Sequence, residues 1–206
     1  MLGVLVRILH HDRLAVRVAG AVGVGYALFF LAWSIGYSVL PEGVLRGQLS
    51  GGLPMVTSSP LMLAVQIVGF NLLVPGLVLV LLSRMQVGRF SLGYNVPFAN
   101  MVLYGLWLGT NSFQVPMPER MEPTLTVFWQ RSGPYEMLAF TLMAAVLARS
   151  ARVRQVSFWS GPTVPVPPAE RGTLGLPEYI VLALALAMLV AANVVEAGML
   201  YRRLSG

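Results

Sequence analysis

The chain has 206 residues, of which 56% are hydrophobic and only 11% are charged, whereas soluble domains carry about 25% charged residues. Every basic residue is an arginine and cysteine is absent, which excludes disulfides, thiolate metal sites and cysteine nucleophiles. The arginines lie between apolar runs and form no dense basic stretch interleaved with aromatics, so no nucleic-acid partner is expected. This pattern predicts an all-α polytopic membrane protein, with residues 1–206 forming a single domain in the lipid bilayer.

The two histidines, His10 and His11, are adjacent and precede the first long apolar run. No predicted span therefore contains a histidine ligand for haem, and an intramembrane serine protease would lack its general base. We expect no cofactor, no metal and no catalytic site, so the protein is not predicted to be an enzyme.

The first two predicted segments are an interfacial helix and a membrane anchor. Residues 1–17 mix short apolar stretches with Arg7, Arg13 and Arg17, which favours a helix lying on the cytoplasmic face of the membrane. Residues 18–40 carry no charge and exceed the roughly 20 residues needed to cross the hydrocarbon core. We predict an uncleaved span with its N-terminus in the cytoplasm.

Spans two and three are predicted at residues 61–83 and 90–113, after a Gly-, Pro- and Ser-rich outer loop at 41–60. Span three carries Pro97, whose missing N–H leaves one backbone carbonyl to be satisfied by neighbouring helices. A kink is expected at that position. A polar, proline-rich outer segment follows at residues 114–122.

The region around span four is interrupted. Residues 123–130 are apolar but cover only about two helical turns, and Arg131 to Pro134 separate them from the next run. We predict a short outer-face or re-entrant helix within 123–133, followed by span four at 134–148. Because a helix rises about 1.5 Å per residue, this span is short and requires the preceding helix or local membrane thinning.

Span five is predicted at 177–201, after the longest water-exposed connection of the chain. This arrangement places nine arginines on the cytoplasmic side and five outside, in agreement with the positive-inside rule. The inner set is Arg7, Arg13, Arg17, Arg84, Arg89, Arg149, Arg152, Arg154 and Arg171. The predicted location is the cell membrane, with several passes.

Two carboxylates fall within predicted spans, Glu136 in span four and Glu196 in span five. An acid at mid-membrane costs roughly 2.5–3.5 kcal/mol and usually faces the protein interior or a cavity. The topology brings both to the outer half of the membrane, and the candidate intramembrane polar cluster comprises Glu136, Glu196, Asn193, Asn111 and Arg131. The cluster is either interhelical hydrogen bonding, worth about 0.6–2 kcal/mol per bond, or a proton or ion relay.

Small residues indicate close helix packing in two spans. Gly20 and Gly23 lie in span one, and Gly105 and Gly109 form a G-x-x-x-G in span three. Such residues let helix backbones approach closely. We expect them to serve packing within the chain, and self-association into a homo-oligomer is the alternative.

Several segments between Phe70 and Leu200 resemble the stage II sporulation protein M family. A small-residue helix in that family is opened by His-Gly-x-x-Glu, and Ser132-Gly133-Pro134-Tyr135-Glu136 is similar, with Ser132 in place of the histidine. The last span resembles the family's final one through Ala191-Ala192-Asn193-Val194-Val195-Glu196-Ala197, and Phe70-Asn71 and Tyr94-Asn95 resemble its middle, although Val96 stands where glycine commonly follows.

The resemblance implies a multi-span, non-enzymatic membrane component. In spore formers the family anchors proteins that remodel the cell wall during engulfment, and elsewhere its members accompany transporter-like gene sets. We therefore predict a scaffold or assembly subunit whose partners are other membrane protein subunits. The alternative is a permease subunit energised by a separate chain, because this sequence has no nucleotide-binding loop.

Overall fold

The computed structural model describes residues 2–47, 59–113, 116–156 and 161–205. It is mostly helical, with seven helices in the described residues. They are α1 (Leu2–Leu9), α2 (Leu14–Ser38), α3 (Pro60–Ser83), α4 (Asn95–Thr110), α5 (Leu125–Trp129), α6 (Gly133–Leu147) and α7 (Leu176–Ser205). The predicted loops at 41–60 and 114–122 lie partly outside the described residues.

Three of these helices are long and apolar enough to cross a membrane: α2, α3 and residues Leu176–Arg202 of α7. The chain is therefore an α-helical membrane protein. Helices α4 and α6 have only 16 and 15 residues, which correspond to lengths of about 24 and 22 Å. Two of the five predicted spans are thus shorter than the roughly 30 Å hydrocarbon core.

Helix α4 begins five residues later than predicted, and the expected kink at Pro97 is wrong. Residues 90–94 form a short strand and one 3-10 turn instead of helix, and Gly93 in that turn packs directly against Ser83 at the end of α3. Pro97 then lies in the first turn of α4, where a backbone N–H would have no helical partner in any case. Its missing donor therefore costs nothing.

Helix α3 widens where Pro75 interrupts it. Proline cannot donate to the carbonyl four residues earlier, that of Asn71. Residues Leu72–Gly76 accordingly form a π turn, in which the N–H of Leu77 bonds the carbonyl of Leu72. A π turn of this kind keeps the helix continuous and is frequent at functional sites.

The N-terminal boundary also differs from the prediction. Helix α2 begins at Leu14, so Arg17 lies inside it with 1% exposure, and the predicted interfacial segment reduces to α1. Helix α1 folds back against α2, with Ile8 packed on Gly20. The Tyr94 hydroxyl donates to the carbonyl of Leu9 over 2.8 Å and fixes the end of α1.

The all-α prediction is wrong in one respect, because the loops after α3 and α6 form a small sheet. Its strands are β1 (Met85–Val87), β2 (Phe90–Ser91), β3 (Val153–Gln155) and β4 (Thr163–Pro165), in the order β2-β1-β3-β4. The central β1–β3 pair is parallel and the outer pairs are antiparallel. Both loops leave the helices at the same end, so their backbone groups pair with each other.

The helices have two distinct ends. The end that holds the sheet, the turn between α1 and α2, and the start of α7 is called the sheet end. The other is called the opposite end.

At the opposite end, Arg120 donates to the carbonyls of Gly36 (2.7 Å), Tyr37 (2.8 Å) and Leu40 (3.0 Å). Its Nε also donates to the carbonyl of Gly109 over 3.0 Å. One guanidinium thus caps the C-terminal ends of α2 and α4.

Helices α2 and α4 touch through glycine. A Cβ added at Gly109 would lie 2.5 Å from the carbonyl oxygen of Trp33, and one at Gly105 would lie 2.5 Å from that of Phe29. From α2, Gly36 faces the Cα of Gly109. An added Cβ at Gly23, by contrast, would meet no atom of the described chain within 4 Å.

The variant Gly109→Ala should lower the free energy of unfolding by about 1–3 kcal/mol, the usual cost of overpacking, because the new methyl group must push α2 away. Gly23→Ala is the matched control and should cost nothing, since alanine favours the helix by about 0.5–1 kcal/mol. Thermal unfolding in detergent measures both. Equal melting temperatures for Gly109→Ala and the unchanged chain would contradict the packing argument.

Candidate functional site

Glu136 and Glu196 lie on two helices that pack against each other. Glu136 is in the first turn of α6, which starts at Gly133, and has 8% exposure. Glu196 lies on α7 and is half-buried. The two carboxyl groups are close enough to interact electrostatically. The first turn of α6 also places Glu136 at the positive end of the helix dipole, which favours an acidic group.

Asn193 connects the same region to α3. It is completely buried, and its side-chain oxygen accepts a hydrogen bond of 2.8 Å from Nδ2 of Asn71. Its own Nδ2 is buried without a partner among the described residues. Asn71 is absent from the predicted cluster, although an asparagine within an apolar span is itself a signal for interhelical hydrogen bonding. The π turn begins directly after it.

Asn111 has a different role from the one predicted. It follows the last residue of α4 with a left-handed backbone (φ 51°), a conformation that asparagine tolerates at helix ends. Its side chain donates to Glu42 and to the carbonyl of Met117, and accepts from the N–H of Met117, each over 2.8 Å. These bonds join the loops of the opposite end to α4.

A groove lies on the surface between α7 and the start of α6. It has a volume of about 270 Å³ between α7 and the residues that join α5 to α6, and its lining is mainly apolar. Tyr135 and Val195 line it, and each directly precedes one of the glutamates. Arg131 also lines the groove, and its Nη2 contacts the sulfur of Met121 at 3.5 Å. Neither Glu136 nor Glu196 lines the groove itself.

The sheet end holds a second polar site that the sequence analysis missed. The guanidinium of Arg17 donates to the carbonyls of Ala145 (3.1 Å), His11 (2.7 Å) and Asp12 (3.0 Å). It also pairs with Glu178 at 3.4 Å. Arg17 therefore joins the start of α2 to the end of α6 and the start of α7. The sequence analysis assigned it only to the membrane surface, as an arginine that sets topology.

His10 is surrounded by arginine at this end. Burial, together with the nearby guanidinium groups of Arg149, Arg17, Arg89 and Arg154, lowers the pKa of His10 below its ordinary value of 6.5. Arg149 pairs with Asp12 at 3.1 Å, and Arg154 pairs with Glu170. Nδ1 of His10 and Nε of Arg149 are buried without partners in the described part of the chain.

Neither polar site resembles a metal centre. Within the described residues, no group of three histidine, aspartate or glutamate side chains is placed to hold a metal ion. The acidic residues at the sheet end are engaged by arginines.

Comparison with known proteins adds no further assignment. No protein-family model matches the chain, and no curated protein or solved structure matches it. The resemblance to the stage II sporulation protein M family therefore stays a prediction.

The stability of the protein should fall as the pH falls below 6.5. The folded state holds His10 with a pKa lower than in the unfolded chain, so protonation favours unfolding and stability is complete only above the unfolded value. The melting temperature in detergent should drop as the pH is lowered below 6.5. His10→Gln should flatten this part of the profile, whereas His11→Gln, a change at the exposed neighbour, should not. An unchanged profile in His10→Gln would argue against this role.

Proposed function

We propose that the chain is a non-enzymatic subunit that scaffolds or assembles a membrane protein complex, as the likeness to stage II sporulation protein M implies. The main support for this proposal is that buried polar side chains connect the helices to one another through hydrogen bonds. Arg17, Arg120 and the Asn71–Asn193 pair each join two or more helices. A rigid interior of this kind suits a subunit that holds other proteins in place.

The outer faces of the helices support the same proposal. Along α3, large apolar side chains are exposed at Leu61 (74%), Leu73 (71%) and Leu81 (57%). On α7, Leu184 is 61% exposed. Such faces contact lipid or the helices of partner subunits, and helices associate there through van der Waals packing.

The proposed topology has five crossings, with the sheet end in the cytoplasm. Helices α4 and α6 complete the set of five, and their short lengths are accommodated by local thinning of the bilayer. Nine of the arginines belong to loops and helix ends on the sheet side, which the positive-inside rule favours for the cytoplasm. The N-terminus is cytoplasmic and the C-terminus is outside.

The absence of cysteine allows a direct test of this topology with single-cysteine variants. Thr163→Cys lies on β4 at the sheet end, and Glu119→Cys lies at the opposite end; both positions are exposed. A membrane-impermeant maleimide applied to intact cells should label Glu119→Cys, and should label Thr163→Cys only after the membrane is opened. The reverse pattern would overturn the orientation.

A permease subunit is the second candidate, and one observation favours it. Glu136 and Glu196 lie on neighbouring helices and interact electrostatically, and acidic groups inside membranes often mark proton or ion pathways. In this alternative the groove gives access from the outside, and a separate partner supplies the energy.

Co-purification followed by reconstitution separates the two candidates. If the chain is a scaffold, a second membrane protein should co-purify with it at fixed stoichiometry after extraction in mild detergent. When the chain and this partner are reconstituted together in liposomes, no ion or proton flux is expected. Flux that disappears in the double variant Glu136→Gln/Glu196→Gln would instead establish the permease. Asn111→Ala, which changes a polar group outside the glutamate pair, is the control for a general loss of folding. Recovery of the chain without any stoichiometric partner would contradict the scaffold.

A further inference from the structure

We propose that the groove between α7 and the α5–α6 junction binds one anionic phospholipid, with an acyl chain along α7 and the phosphate at Arg131. The lipid belongs to the membrane leaflet on the side of the opposite end. Its binding requires neither the scaffold role nor a particular orientation of the chain in the membrane. Failure of either of those proposals therefore leaves this one intact.

The first argument is the depth of the apolar wall of the groove. This wall is one face of α7 between Met188 and Met199, and that stretch of helix is about 16 Å long. Met199 lies one turn before Arg202, where the candidate membrane span ends, so the groove starts near the membrane boundary and runs inward. Its length is close to half of the roughly 30 Å hydrocarbon core. An acyl chain of one leaflet covers the same depth.

The second argument is the shape of the wall. Ala191 and Ala192 lie between the longer side chains of Met188 and Met199, so the surface of α7 is indented there. The volume of about 270 Å³ is smaller than the roughly 300–1,000 Å³ of pockets that enclose drug-sized molecules. The groove therefore accommodates part of one flexible chain rather than a whole compact ligand. Methionine side chains adapt readily to such a chain.

The third argument is the position and charge of the polar groups in the lining. Gln130, Arg131 and Ser132 come from the break between α5 and α6, and α6 begins at the opposite end, so these residues form the mouth of the groove. Among the described residues that line it, Arg131 is the only charged one. A guanidinium binds phosphate through charge-assisted hydrogen bonds, so the mouth complements an anionic headgroup.

Two aromatic side chains place this mouth at the level of the headgroups. Trp129 and Tyr135 both line the groove and are 57% and 36% exposed. The Tyr135 hydroxyl donates to the carbonyl of Trp129 over 3.2 Å, and their ring centroids are 6.1 Å apart. Tryptophan and tyrosine are enriched where the hydrocarbon meets the headgroup layer. Polar mouth and apolar wall thus follow the order of headgroup and chain in a phospholipid.

The test is native mass spectrometry of the full chain in neutral detergent with added phosphatidylglycerol or phosphatidylcholine. One phosphatidylglycerol should be retained per chain, and phosphatidylcholine should bind about fivefold more weakly, the attraction of one arginine for an anionic lipid. Arg131→Gln should bring the two lipids to equal affinity. If Arg131→Gln does not fold, the unchanged chain gives the same answer, because its preference for phosphatidylglycerol should fall as the salt concentration rises.

Filling the groove tests the position of the acyl chain. Ala191→Phe should weaken phosphatidylglycerol binding about tenfold, because the ring occupies the space that the chain needs. Ala187→Phe is the matched control: it changes an exposed alanine one turn earlier on α7, outside the groove lining, and should retain the affinity.

Three results would overturn the assignment. Equal losses in Ala191→Phe and Ala187→Phe would show that lipid covers α7 in general and does not occupy the groove. Equal affinity of the unchanged chain for the two lipids would show that the headgroup charge is not recognised. A dimer that becomes monomeric in Ala191→Phe but not in Ala187→Phe would make the occupant a second copy of the chain.

Discussion

In hydrocarbon a helix carbonyl without a partner finds no water, and satisfying such carbonyls is the constraint on which this structure depends. Two arginines meet it, one at each end of the bundle. Arg17 donates to the carbonyl of Ala145 near the end of α6, and Arg120 donates to four carbonyls at the ends of α2 and α4. A guanidinium has five donors in a planar fork and always keeps its charge. It therefore satisfies several carbonyls at once and also complements the negative end of the helix dipole.

These caps allow short helices to be used as elements of the bundle. Helices α4 and α6 end before they reach the length of a full span, and their last carbonyls are bonded by arginines that belong to other parts of the chain. Each cap buries or half-buries a positive charge, which is unfavourable. Glu178 compensates the charge of Arg17 through an ion pair. The ring of Tyr37 compensates that of Arg120 through a cation–π contact of 5.2 Å. Glycine on both α2 and α4 then brings these two helices together.

The sequence predicts the long helices well, because a run of more than 20 uncharged residues has few alternatives in a membrane. It does not predict the sheet, since strands of two or three residues are too short for any periodicity to be seen. Arg17 shows a second limit: charge patterning assigns an arginine to the surface, and only the fold brings three carbonyls to it. The proximity of Glu136 and Glu196 could be expected from their matched depth on neighbouring helices. Asn111 could not be placed in the same way, because its role depends on a left-handed helix end.

Helix α6 links the two polar sites of the molecule. Glu136 is in its first turn and Arg149 follows its last residues, so the acid and the base each lie at the end of the helix dipole that favours them. Between them, Ala139, Ala144 and Ala145 have no exposed surface, and such small residues hold α6 tightly against its neighbours. Helix α6 therefore presents an acidic group at one end of the bundle and a basic group at the other.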